Sequence, residues 1–169
     1  MRAETPLLDR TLAIARVDWT PAHRQPSVAR LCIATTLAIV GSLVADALVV
    51  ALGTHLFPGT AGYEHFRFAD YAKLTVVGVV IAGAAWPVVA RVSSAPRWLF
   101  FRAAIAVTLV LFLPDVWIWL QGESAQGVAV LLAMHVAIAV ITYNLLVHLA
   151  PVRAPARTDV AATRTEAGV

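Results

Sequence analysis

Four apolar runs, at residues 31–52, 71–90, 99–120 and 126–149, decide what this chain can fold into. Each is about 20 residues long or slightly more, enough to cross a ~30 Å hydrocarbon layer at 1.5 Å per helical residue. Lipid offers the backbone no hydrogen-bond partners, so a run of this kind must satisfy its own N–H and C=O groups as a helix. Strands are excluded by the length of the runs and by the lack of strict alternation. Composition agrees: the 169 residues are 60% hydrophobic and only 14% charged. A water-soluble domain sits nearer half apolar and a quarter charged. The expected fold is all-α, an integral membrane antiparallel four-helix bundle spanning residues 31–149.

The flanks are of another kind. Residues 1–30 form a basic arm with Arg2, Arg10, Arg16, Arg24 and Arg30 and with prolines at 6, 21 and 26. Its charged part is too long for a signal peptide, and no cleavage-like site follows the first apolar run. Leu8, Leu12, Ala15 and Trp19 recur at helical spacing, so the arm is either a short interfacial helix or a loosely ordered segment. Residues 150–169 are small, polar and proline-containing, and are expected to be a disordered tail.

The arginines give an orientation. Five basic residues lie in the arm, three at Arg91, Arg97 and Arg102, and three at Arg153, Arg157 and Arg164. The opposite side has Arg67 and Lys73 alone, an eleven-to-two division. Cytoplasmic loops carry the excess of Lys and Arg, so both termini are expected on the cytoplasmic side. The positive net charge of +3 therefore reports topology, and no nucleic-acid partner is expected. One lysine among 13 basic residues, with abundant Ala and Val, points to a GC-rich bacterial genome and hence to a bacterial cytoplasmic membrane.

Three ionisable residues fall inside the apolar runs: Asp46, Asp115 and His135. At the helical rise they lie ~9, ~8 and ~13 Å from the outer ends of their runs. Lys73, near the outer start of the second run, is the nearest cation. Each span thus contributes one ionisable group at about one level. Intramembrane charges are expensive, and they pair, face the bundle interior or mark a pathway. The competing reading is that helix ends are blurred by several residues. Trp117 and Trp119 then mark the interface belt, with Asp115 just below it, shallow and hydrated. Pro114 and Pro87 remove one backbone bond each and are expected to kink their helices, Pro114 leaving the Val110 carbonyl free beside Asp115.

Several chemistries drop out. A single cysteine, Cys32, permits no disulfide and no cysteine-based metal site. His135 and His148 share one span thirteen residues apart, but a haem needs a second axial ligand on another helix, and none faces His148. There is no phosphate loop, nucleophile elbow or HExxH sequence, so neither catalytic residues, metal nor cofactor is expected. Small residues recur every fourth position at Ala125, Ala129, Ala133 and Ala137, and at Gly41/Ala45 and Gly78/Ala82, spacing that lets helices approach closely.

The order of an apolar span, then ARVSSAPRWLFFRAAIAVTLVLFLPD, then a short loop and AVLLAMHVAIAVITYNLL, resembles an uncharacterised family of small four-span membrane proteins from actinobacteria, a domain of unknown function. The resemblance covers residues 76–149 and rests on Leu113-Pro114 and on Ala133, Met134 and His135. Asp115 and the long 53–70 loop depart from it. It implies the four-span fold and no activity. The expected function is that of a non-enzymatic membrane component, an accessory subunit or a homo-oligomer whose partners are lipid and another membrane protein or a second copy. The alternative is a small-solute or proton-linked transporter or channel with an outward-facing pocket at Asp46, Asp115, His135 and Lys73.

Overall fold

The computed structural model describes residues 25–153 together with Thr11, Leu12 and Ile14. The expectation of an interfacial helix rests also on Leu8, Ala15 and Trp19, and the tail runs beyond 153; those positions lie outside the described residues. Four long helices make up the rest: α1 (Val28–Leu56), α2 (Phe68–Val92), α3 (Pro96–Leu120) and α4 (Ala125–Leu149). All four are long and apolar enough to cross a membrane. Two short 3-10 turns, Pro58–Thr60 and Glu64–Phe66, fold the connection between α1 and α2.

Helix ends follow local chemistry. Ser27 and Ser124 cap α1 and α4, their hydroxyls accepting from the N–H groups of Arg30 and Gly127. Such caps satisfy backbone donors that have no partner inside the helix. Pro96 occupies the first position of α3, where its missing N–H is harmless. Gly122 makes the tight α3–α4 turn with φ +99°, a left-handed conformation open to glycine at no steric penalty. The first span outruns its sequence estimate by three residues at its start and four at its end. Thr54 bonds back to the carbonyls of Val50 and Ala51, and the Phe57 N–H closes on Gly53.

Burial follows a narrow stripe. On α1 the buried residues are Ala34, Ala38, Ser42, Asp46 and Gly53, and on α2 Tyr71, Thr75, Val79, Gly83, Trp86 and Ala90. Steps of three and four keep one face inward. The remaining faces carry large apolar side chains such as Leu48, Leu74, Val110 and Leu113, exposed in the isolated chain. That inversion of the water-soluble pattern fits a surface covered by lipid.

Two apolar clusters hold the helices together. One joins Ala34 of α1, Trp86 of α2, Phe100 of α3 and Leu146, Val147 and Ala150 at the end of α4. Trp86 is its anchor: fully buried, 5.0 Å from the Phe100 ring, with Nε1 donating to the Ala150 carbonyl at 2.8 Å. The other joins Tyr71, Val130, Leu131 and Met134 with Val49, Val50, Ile118 and the loop residues Phe57, Tyr63 and Phe66. The aromatic residues of the 53–70 loop thus rest on the helices. For brevity the first is the terminal end, where chain entry, the α2–α3 link and chain exit lie; the second is the loop end.

The small-residue stripes divide. Gly41 meets Ile141 across α1–α4, and Gly53 lies against Val130. By contrast Ala125, Ala129 and Ala133 are exposed, as is Gly78, so α4 packs through Val128, Leu131, Met134, Thr142 and Leu146 instead. The larger residues win the interior because they bury more apolar area against α1. A Cβ on Gly53 would stand 2.5 Å from Val130 Cγ2, whereas one on Gly78 meets nothing within 4 Å. Gly53→Ala is therefore expected to destabilise the fold by about 1–3 kcal/mol through overpacking, and Gly78→Ala to change it by less than about 0.5 kcal/mol. Thermal unfolding of both variants in detergent checks the contrast.

Candidate functional site

Between the two apolar clusters the helices carry polar side chains instead. Asp46 lies on the inward stripe of α1 between Ala38 and Gly53, and is 0% exposed. Thr75 lies on the inward stripe of α2, one turn from Tyr71. Its hydroxyl donates to Asp46 Oδ2 at 2.7 Å, a fully buried charge-assisted contact of the shorter, stronger kind. The other carboxylate oxygen, Oδ1, has no hydrogen-bond partner among the described residues.

Asp115 of α3 and His135 of α4 form the second half. His135 Nδ1 lies 3.1 Å from Asp115 Oδ2, with Asp115 only 7% exposed. The same nitrogen is 3.0 Å from the Leu131 carbonyl. Hydrogen-bond geometry is met with the carbonyl and not with the carboxylate, so Asp115 Oδ2 sits against the ring by charge and proximity. Phe112 backs the imidazole edge-on, with ring centroids 6.2 Å apart. The two halves are coupled, because Asp46 and His135 lie within range of each other's charge. Two more buried hydroxyls have no partner: Ser42, one turn from Asp46 on α1, and Thr142, two turns from His135 on α4.

Of the four sequence-derived residues, Asp115 and His135 meet, and Asp46 is buried against Thr75 within electrostatic range of His135. Lys73 does not join them. Its side chain is 75% exposed and its nearest acid is Asp70, at 3.8 Å in the same helical turn. The reason is angular: Tyr71 and Thr75 set the inward face of α2, and position 73 lies about 200° around the helix from each. Thr75, absent from the sequence-derived set, takes the place opposite Asp46. A threonine in an apolar helix carries no charge signal; only its i+4 spacing from Tyr71 marks it.

The depth expectations change as well. With α1 running to Leu56, Asp46 stands ten residues from that end, ~15 Å at the helical rise. Asp115 remains five residues from the end of α3 and is buried within the protein. Trp117 and Trp119 near it are exposed, on the outside of α3. Pro114 is exposed too, and α3 continues unbroken through it, as α2 does through Pro87. Val110, whose carbonyl Pro114 leaves free, is likewise exposed.

At the loop end the partly buried Tyr63 lies as a lid on Gly127. Its ring packs on Gly127, where a Cβ would stand 3.1 Å from Cε1, and it meets Phe66 edge-on at 5.0 Å. Its hydroxyl is buried without a hydrogen-bond partner. Burial first, and then the nearby Glu123 carboxylate, raise it above the ordinary tyrosine value of 10.0. Asp115 also lies within electrostatic range of it, so the lid and the layer are neighbours.

Chemically, the layer offers two carboxylates, one imidazole and several hydroxyls, with no His/Cys/Asp/Glu group of three or more arranged to hold a metal ion among the described residues. No protein-family model matches the chain, and neither a curated protein nor a solved structure matches it. The fold and site define an all-helical chain with four potential membrane spans and a buried acid–histidine layer. Thr75→Val preserves side-chain shape and removes the donor to Asp46. It is expected to lower stability by about 1–3 kcal/mol, the effect of leaving a buried acceptor unpaired, measurable as an earlier thermal transition in detergent.

Proposed function

We propose that this chain is a multi-pass protein of a bacterial cytoplasmic membrane, an antiparallel four-helix bundle with both termini in the cytoplasm. Contacts such as Asp46–Thr75 with Thr35–Gly83, and Gly41–Ile141 with Gly53–Val130, run in opposite chain directions on the paired helices and support the arrangement. Arginine placement supports the orientation: Arg30, Arg91, Arg97, Arg102 and Arg153 all belong to the terminal end. In a Cys32→Ser background, Ser94→Cys is expected to resist a membrane-impermeant maleimide in intact cells, and Glu123→Cys to react. The reverse labelling pattern would reject the orientation.

The function favoured by the geometry is non-enzymatic and proton-linked. The carrying observation is the 3.1 Å approach of His135 to Asp115, with Asp46 buried within charge range. One imidazole faces two carboxylates. With every group ionised the layer holds a net negative charge in a low-dielectric interior, an arrangement relieved by taking up a proton. Asp46 Oδ1 and Asp115 Oδ2 are the open acceptors, and His135 is the group whose charge changes most readily near neutrality. In this reading a proton enters from the loop end past Tyr63, is exchanged among the three groups, and couples passage of a proton or small solute to the state of the bundle.

Purified protein in liposomes loaded with a pH-sensitive dye tests this. Under an imposed potential the wild type is expected to acidify the interior. Asp46→Asn, Asp115→Asn and His135→Gln should each reduce the rate at least about tenfold, the loss typical of removing a proton-transfer group. Lys73→Gln should leave it unchanged, and helix content should stay constant. Wild-type flux equal to protein-free liposomes, or undiminished flux in the aspartate variants, rejects the reading. A second reading, an accessory or self-associating membrane component, is supported by the exposed Ala125, Ala129 and Ala133 stripe of α4, which offers a close-packing face to another helix.

A further inference from the structure

At the terminal end, away from the polar layer, a cleft of about 200 Å³ opens between the arm and the start of α3, lined by Thr11, Ile14, Trp98, Leu99 and Arg102. Its walls are mostly apolar, with one cation. Arg102 stands six residues into α3, ~9 Å from the helix start, inside an otherwise apolar stretch. Its guanidinium folds back over the Trp98 ring, 4.6 Å from the centroid, one turn toward the helix end. This is the posture of a long cationic side chain reaching from hydrocarbon toward the interface.

The guanidinium has five N–H donors and needs oxygen acceptors. Among the described residues Arg102 makes no hydrogen bond and no ion pair; its one recorded contact is the Trp98 face. Nor is a carboxylate at hand in the described bundle. Asp46, Glu64, Asp70, Asp115 and Glu123 all lie toward the loop end, whereas the terminal end holds Arg30, Arg91, Arg97, Arg102 and Arg153. Directly below Arg102, Ile105 and Leu109 continue the same face of α3, exposed and apolar, at steps of three and four.

We propose that this cleft is a binding site for the headgroup of an anionic phospholipid from the surrounding leaflet. The phosphate accepts from the Arg102 guanidinium, Trp98 and Ile14 flank the glycerol region, and one acyl chain lies along Ile105 and Leu109. The occupant follows from charge complementarity together with an apolar track on one side only: a soluble anion would find the charge but leave the track bare. Arginine suits the role because its planar fork binds two phosphate oxygens at once and stays charged in a partly apolar setting. The site is independent of the proton-linked reading above.

Native mass spectrometry of the full-length protein in detergent, titrated with dioleoylphosphatidylglycerol or dioleoylphosphatidylcholine, tests it. One phosphatidylglycerol is expected to be retained in clear preference to phosphatidylcholine. Arg102→Gln should weaken that binding at least tenfold, about 1.4 kcal/mol. Ile14→Trp, which fills the cleft and leaves every charge in place, should do the same. Arg97→Gln, at the same end but outside the cleft, should change it less than twofold. Phosphatidylglycerol binding unaffected by both Arg102→Gln and Ile14→Trp overturns the site. Equal losses in Arg97→Gln would reduce it to general surface charge. Displacement of the lipid by millimolar inorganic phosphate would make it a site for a free anion instead.

Discussion

Hydrocarbon cannot hydrogen-bond, and everything else in this molecule follows from that constraint. It forces each apolar run into an unbroken helix, through Pro87 and Pro114 alike. It also reverses the ordinary sorting of side chains. Leucines, valines and isoleucines cover the outside, and the few polar groups withdraw to the inside. Asp46 could not sit on the outer face of α1 without leaving a carboxylate in lipid. Turned inward it finds the Thr75 hydroxyl, and that one contact ties α1 to α2 at mid-height.

The architecture is consequently layered along the helix axes. Trp86 and Phe100 lock the terminal end, and Tyr71, Leu131 and Met134 fill the loop end. Between them the packing is interrupted by acids, an imidazole and hydroxyls, four of whose oxygens have no hydrogen-bond partner among the described residues: Ser42 Oγ, Asp46 Oδ1, Asp115 Oδ2 and Thr142 Oγ1. A bundle built only for stability would fill this level with apolar side chains, since an unpaired buried acceptor costs about 1–3 kcal/mol. The gathering of such atoms between the two apolar clusters, within two turns of the Asp46 and His135 positions, is an observation on which the proposed function rests. The terminal end has the opposite character, cationic and without acids among its described residues.

Much of this was legible in the residue order, and the parts that were not share a cause. Asp46, Asp115 and His135 were recognisable because ionisable residues stand out against an apolar background, and helical rise places them at similar heights. Lys73 shares their height and is the nearest cation, but height says nothing about the direction a side chain takes around the helix, and position 73 points away from the face set by Tyr71 and Thr75. The alanine stripe of α4 shows the same limit, since regular spacing identifies a face and not what covers it. Thr75 and Tyr63 gave no signal strong enough to separate them from other threonines and loop aromatics. The first span was read short because its last turn is held by Thr54 and the Gly53–Phe57 closure, which hydropathy does not register.

The sequence by itself determined that this chain has four apolar helices, where three ionisable groups fall along them, and on which side its arginines gather. Those are one-dimensional properties, set by run length, rise per residue and charge count. Only the tertiary structure decided which faces meet. It put Asp115 against His135 and Thr75 against Asp46, turned Lys73 and the Ala125–Ala133 stripe outward, and folded Arg102 over Trp98 beside the arm. The physical reason is rotation: each residue turns a helix by about 100°, and the choice of inward face is made by packing against neighbours distant in the chain.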